Sequence, residues 1–131
     1  MSRIFITGGK AQGKTEYSKK YISGGYHVID DICETVREYV LDEKMSGNGM
    51  GEGTASEADR MADKIMSRFM TGAEDHKDIV FIGTETGCGI VPSDSTERLF
   101  REVNGRLNCL LAASADTVIL LNCGIAQVIK G

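Results

Sequence analysis

The chain is 131 residues long, enough for one domain with a sizeable hydrophobic core. Its 15 Lys and Arg stand against 19 Asp and Glu, a net charge of -4 with a pI near 5.2, so it lacks the basic surplus that draws a protein onto nucleic acid. No apolar run approaches the roughly 18 residues of a membrane span, and no basic segment followed by an apolar one opens the chain, so a soluble, cytoplasmic protein is expected.

Strands and helices alternate along the sequence. Ile4 to Thr7 reads as a buried strand, and Gly13 to Ile22 as a helix that Gly24 and Gly25 stop. His27-Val28-Ile29 is a second short strand, ending at Asp30-Asp31. Ile32, Val36 and Val40 recur at four-residue spacing and predict a helix to about Met45, with Arg37, Glu38 and Asp42 on its other faces. Residues 46 to 55 carry a cluster of glycines and form a flexible loop, either a lid or a connector. From Ser56, the positions Met61, Ala62, Ile65, Met66 and Phe69 mark an amphipathic helix, and Ile79 to Ile82 is a third buried strand. Asp94 and Glu97 have capping-box spacing ahead of a helix whose stripe is Leu99, Val103, Leu107 and Leu110. Thr117 to Asn122 is a fourth strand, and Gln127 to Lys130, past Gly124, can pair with it as a hairpin. Short continuous apolar strands between helices predict an α/β fold with a mainly parallel sheet covered on both faces. The four cysteines form no C-x-x-C pair and are read as reduced thiols, three of them as small hydrophobes within apolar or helical patterns.

The chemistry begins at Gly8-Gly9-Lys10-Ala11-Gln12-Gly13-Lys14-Thr15. A G-x-x-x-x-G-K-T run between a strand and a helix is a phosphate-binding loop: its glycines let backbone N–H groups turn inward, and the helix N-terminus adds positive potential. Lys14 is expected on the β and γ phosphates, and Thr15 on Mg²⁺ through its hydroxyl. Such a site also needs a carboxylate at the tip of a neighbouring strand. Asp30 is the candidate for the metal; Asp31 is the alternative, or the cap of the next helix. Glu85, closing Phe81-Ile82-Gly83-Thr84-Glu85, stands where ligands bind in open α/β sheets and can take a proton from a hydroxyl nucleophile or orient the metal's water.

The segment Glu85-Thr86-Gly87-Cys88-Gly89-Ile90-Val91-Pro92, followed by Arg98 to Glu102, Gly105 to Asn108, Ala115-Asp116 and Gly124-Ile125, resembles one family: the adenosylcobinamide kinase / adenosylcobinamide-phosphate guanylyltransferase family of cobalamin biosynthesis. The resemblance runs in order over most of the chain. It is specific in "E-x-G-x-G-I-V-P" and the following helix, and ordinary in the phosphate loop. It implies a RecA-like P-loop NTPase that transfers the γ-phosphate of ATP or GTP to the aminopropanol hydroxyl of adenosylcobinamide, a corrinoid alcohol, and then attaches GMP through a guanylylated histidine. It also implies a homo-oligomer, a trimer. By the same resemblance Gly8, Gly9, Gly13, Lys14 and Thr15 fall on the nucleotide loop, Asp30 on the strand-end aspartate and Glu85 on the family glutamate. Arg98, Arg101 and Asn108 fall on family positions without an assigned duty.

One departure bears on activity. Members carry several dozen residues, including the guanylylated histidine, between the first helix and the aspartate-bearing strand, whereas here only Ser23-Gly24-Gly25-Tyr26 intervenes. His27 reads as a packed or edge histidine, and His76 as a residue of a polar turn. The expectation is a kinase whose guanylyltransferase activity is lost. The competing readings are a P-loop protein that binds nucleotide without an acceptor, and a structural remnant within an oligomer.

Overall fold

A computed structural model describes residues 2–9, 13–45, 55–72, 78–84 and 95–131. Among the described residues, five strands and four helices follow in the order β1 (Ser2–Gly8), α1 (Lys14–Ser23), β2 (His27–Ile29), α2 (Ile32–Met45), α3 (Ala55–Gly72), β3 (Asp78–Ile82), α4 (Ser95–Ser114), β4 (Thr117–Asn122) and β5 (Ile125–Lys130). They form one sheet in the order β2-β3-β1-β4-β5. The first four strands are parallel, with Ile4 opposite Val80 on one side and Thr117 on the other; β5 returns antiparallel to β4.

Alternation along the strands divides the core in two. Ile4, Ile6, Val80, Ile82, Ile119 and Leu121 face α1, where Tyr17, Tyr21 and Tyr26 close over them. Phe5, Ile79, Phe81 and Val118 face α2, α3 and α4. Burial on both faces is the reason these strands read as unbroken apolar runs. A single ten-residue helix covers the first face, so aromatic rings supply much of its area: the Tyr17–Tyr21 and Tyr21–Tyr26 centroids lie 6.2 and 5.4 Å apart. Lys20 sets its ammonium 4.1 Å from the Tyr17 ring centre, a cation–π contact. The helix then stops sharply. Tyr26 N–H returns to the Tyr21 carbonyl at 3.0 Å, and Gly25 takes φ 89°, the left-handed conformation that ends helices.

On the other face α3 and α4 pack lengthwise, and Arg106 of α4 meets Asp59 of α3 at 3.0 Å. Arg37 of α2, expected on an outer face, donates to Glu97 of α4 and lies 4.1 Å from the Phe100 ring centre. Both ion pairs are part-exposed, and each contributes about 0–1 kcal/mol; the burial of Ile32, Val36, Met61, Ile65 and Leu107 holds these helices down.

Several sequence expectations shift. The buried stripe of α4 ends on Leu111, leaving Leu110 half-buried. Strand β5 starts at Ile125, earlier than Gln127, and all six of its residues are exposed. Cys109 and Cys123 are exposed as well, so neither is the small core hydrophobe that its setting suggested, while Cys33 is half-buried. Helix α3 begins at Ala55, which takes one residue from the expected loop; residues 46–54 lie outside the described residues, as do Cys88, Asp94 and His76. Among the described residues no helix is long and apolar enough to cross a membrane.

Two glycines report opposite constraints. A Cβ at Gly8 would lie 2.4 Å from the Leu121 carbonyl oxygen, a backbone atom that cannot step aside, whereas one at Gly105 in mid-α4 meets nothing within 4 Å. Gly8→Ala is therefore expected to destabilise by about 3 kcal/mol, the upper end of overpacking. Gly105→Ala should gain about 1 kcal/mol of helix propensity. Urea denaturation of both variants checks the pair.

Candidate functional site

Strand β1 delivers the phosphate loop to the edge of the sheet where the parallel strands end, the edge that holds ligands in open α/β folds. Gly8 closes against Leu121, and Gly13 opens α1 with φ 90° and ψ 17°. The Gly13 carbonyl accepts the first helical bond, from Tyr17 N–H, at 3.0 Å. Lys10, Ala11 and Gln12 lie outside the described residues; Gly8, Gly9, Gly13, Lys14 and Thr15 lie within them.

Lys14 is buried, and its Nζ donates to the carbonyls of Gly9 at 2.5 Å and Gly8 at 3.3 Å. The ammonium thus curls over the loop that carries it. Burial holds its pKa below the ordinary lysine value, opposed first by the Asp30 carboxylate and then by Cys33. That coupling ties the end of β2 electrostatically to the phosphate loop. Yet β2 is not the strand next to β1, because β3 runs between them. The expectation of a carboxylate on a directly neighbouring strand is corrected to this extent: Asp30 acts on Lys14 from one strand further away. Thr15 is exposed in the first turn of α1, and Asp30 is exposed at the tip of β2.

The two aspartates now separate. Asp30 Oδ1 accepts the Asp31 N–H at 2.7 Å, and the Asp31 carbonyl accepts Thr35 N–H at 3.0 Å. Asp31 therefore heads α2 through its backbone, with φ 55°, and Asp30 is the carboxylate that acts on Lys14. A hydroxyl and a carboxylate are the hard oxygen donors suited to Mg²⁺, which takes one or two protein oxygens and completes its shell with phosphate and water. Among the described residues no group of three or more His, Cys, Asp or Glu side chains is gathered as a metal cage.

Helix α4 secures the end of β3. Asn104, on its buried face, donates Nδ2 to the Thr84 carbonyl at 2.9 Å. A Cβ on Gly83 would lie 2.9 Å from the Phe5 ring and 3.1 Å from Asn108 Oδ1, so only glycine lets helix and strand close here. Thr84 directly precedes Glu85, which lies outside the described residues. Arg98 is exposed on α4, away from these contacts, while Arg101 and Asn108 line a groove of about 460 Å³ between α4 and the β4–β5 hairpin.

Two contributors had weak sequence signals. Asn104 interrupts an apolar stripe between Val103 and Leu107, and a polar residue inside such a stripe marks a buried hydrogen bond. Gly124 sits 3.6 Å from the Cβ position of Gly13 and so packs the hairpin turn against the phosphate loop. Cys123 and Gly124 carry φ 53° and 77°, the paired positive values of a type I′ turn. The turn is readable locally; its meeting with Gly13 is a product of sheet order.

The family model described as cobinamide kinase / cobinamide phosphate guanyltransferase matches residues 23–129, well over half of the chain. The chain belongs to this family. Its α/β architecture, with a mainly parallel sheet and a glycine loop between β1 and α1, is the family's P-loop NTPase fold. Two curated proteins are similar over a shorter stretch. The bifunctional adenosylcobalamin biosynthesis protein CobU of Salmonella typhimurium is 46% identical over 52 residues, which is 40% of this chain and 29% of that protein. The protein of the same description from Escherichia coli is 44% identical over 52 residues, with the same coverage. The match thus spans less than a third of the length of these relatives.

Lys14 makes the electrostatics testable. Because burial lowers its folded pKa, the unfolded chain holds the proton more tightly, and stability rises as pH climbs from that lowered value to the ordinary 10.5. Tyr21 and Tyr39, whose hydroxyls burial holds above 10.0, lose stability as pH rises through that value. The readout is therefore the difference between wild type and Lys14→Met: urea unfolding at about pH 8 and about pH 10.5 should show wild type gaining on the variant.

Proposed function

We propose that this family member is a phosphotransferase of cobalamin biosynthesis, which moves the γ-phosphate of ATP or GTP to the aminopropanol hydroxyl of adenosylcobinamide. The observation that carries the reading is the buried Lys14 ammonium, held on the Gly8 and Gly9 carbonyls and coupled to Asp30 at the ligand edge of the sheet. A triphosphate entering the loop offers that ammonium anionic oxygens in exchange for neutral carbonyls, a stronger charge-assisted bond.

Each remaining group has a task in this scheme. The loop from Gly8 to Thr15, which includes Lys10, Ala11 and Gln12 in sequence, would wrap the phosphates with backbone N–H groups. Thr15 and Asp30 would hold Mg²⁺, which when bound neutralises phosphate charge. The acceptor's hydroxyl oxygen forms a bond to γ-phosphorus while the bond to the β,γ-bridging oxygen breaks; the nucleoside diphosphate leaves with that electron pair. Glu85, one residue past the Thr84 that Asn104 anchors, takes the hydroxyl proton. Phosphoryl transfer needs positioning and charge neutralisation more than a covalent side chain.

Guanylyl transfer does need a nucleophile, and here the reading is loss of that activity. Helix α1 passes to β2 through Gly24, Gly25 and Tyr26, a passage that carries no histidine. His27 opens β2 opposite Ile79, at the strand's N-terminal end, and the phosphate loop lies past the C-terminal ends.

Turnover of ATP and GTP with Mg²⁺, with and without cobinamide, tests the reading. Turnover is expected to depend on cobinamide. Lys14→Ala should lower kcat by about 10²–10³, the loss typical of one removed charge-stabilising donor. A nucleotide at about 100 times its Kd should stabilise wild type by about 2.7 kcal/mol and the variant by far less. Nucleotide binding with no response to cobinamide would leave a P-loop binding protein in place of the kinase. A covalent GMP adduct on His27 after incubation with labelled GTP would overturn the loss of guanylyl transfer.

A further inference from the structure

Between helix α4 and the β4–β5 hairpin one face of the sheet is only partly covered: Leu120 is half-buried and Ile129 exposed. The resulting groove has a volume of about 460 Å³, within the range of small-molecule sites. Phe5, Val118, Leu120 and Ile129 give it an apolar floor. Arg101, Gly105, Asn108, Cys109 and Ala112 of α4 form its wall, with the spacing of a single helix face. Gly105 widens it, since a Cβ built there meets only open space. At one end Lys130 reaches across from β5 and donates to the carbonyls of Ala112 and Ala113 at 2.9 and 3.1 Å. At the other stands Thr7, the residue directly before Gly8 of the phosphate loop.

We propose that this groove holds the hydroxyl-bearing arm of the acceptor, an inference that rests on the phosphotransferase reading above. A short arm joined through an amide has three recognisable parts: an N–H donor, an aliphatic stem and a terminal hydroxyl. The groove answers the last two. Its floor is apolar, as the stem requires. The open end adjoins Gly8, so an arm lying lengthwise presents its hydroxyl to the phosphate loop. The volume suits an arm rather than a whole corrin ring, which stays outside.

Cys109 lines the groove and is exposed, while Cys123 is exposed on the hairpin turn and is not part of the groove lining. Alkylation by N-ethylmaleimide, followed peptide by peptide, therefore reads the groove without any turnover. Cobinamide alone, at about ten times its Kd, should slow labelling of Cys109 about tenfold and leave Cys123 unchanged. Gly105→Leu, which places a good helix former in the open space, should abolish that protection and the cobinamide-dependent turnover while keeping the stabilisation by magnesium nucleotide.

Protection of Cys109 without phosphoryl transfer would uphold the groove and remove the kinase reading. Cobinamide-dependent turnover with no protection, undisturbed by Gly105→Leu, would remove the groove and keep the kinase. Protection by magnesium nucleotide alone, or protection that grows with protein concentration in the absence of cobinamide, would overturn the proposal in favour of a nucleotide subsite or a second copy of the chain.

Discussion

The Lys14 ammonium is buried at the ligand edge of the sheet, and a buried cation must be met by oxygen. The carbonyls of Gly8 and Gly9 meet it here, and Asp30 adds a field from two strands away. The geometry around it follows. Gly8 has to touch the Leu121 backbone for β1 to end where it does, and Gly13 has to take a positive φ for α1 to start with Lys14 turned back over the loop. Neutral carbonyls are a weaker partner for an ammonium than phosphate oxygens are, so the loop holds its cation in a setting that an anion improves.

The two faces of the sheet support this edge differently. Three tyrosines and one short helix close the face over Ile6 and Ile82, with a tight glycine turn to β2. The opposite face carries three helices, and α4 does more than cover it. Asn104 grips the Thr84 carbonyl, and the closeness of Phe5 and Asn108 to Gly83 fixes where β3 ends. Residues far apart in sequence thus fix the chain from Gly83 to Thr84. The same packing leaves Leu120 half-buried and Ile129 exposed in the groove between α4 and the β4–β5 hairpin.

Much of this was legible in the residues. The strands around Ile4, Val28, Val80 and Val118 announce themselves as apolar runs because both faces of the sheet are buried. The passage from β1 to α1 was legible because strand, glycines and helix follow one another locally. Features that depend on sheet order were not. Nothing in the spacing says that β3 comes between β1 and β2, so Asp30 looked like a direct neighbour of the loop. The meeting of Gly13 with Gly124 and the pairing of Arg37 with Glu97 join residues brought together by topology, and local pattern is silent on both. The exposure of Cys109 and Cys123 has the same origin: α4 turns Cys109 to the uncovered side, and Cys123 sits at the turn of an edge hairpin.

The family match and the nucleotide site draw on different residues. The family match covers residues 23–129 and so begins beyond residues 8–15. The nucleotide reading draws on residues 8–15 and on the burial of Lys14. They converge in space at Gly83 and Gly124, where elements from the matched region touch β1 and Gly13. Such contacts constrain both partners: a shift of the hairpin turn moves Gly13, and a shift of α4 moves the end of β3 beside Ile6. The short passage from α1 to β2 lies on the other side of the sheet from α4 and the groove. That passage, closed by the tyrosines, therefore does not meet the contacts that α4 makes with Thr84 and Gly83.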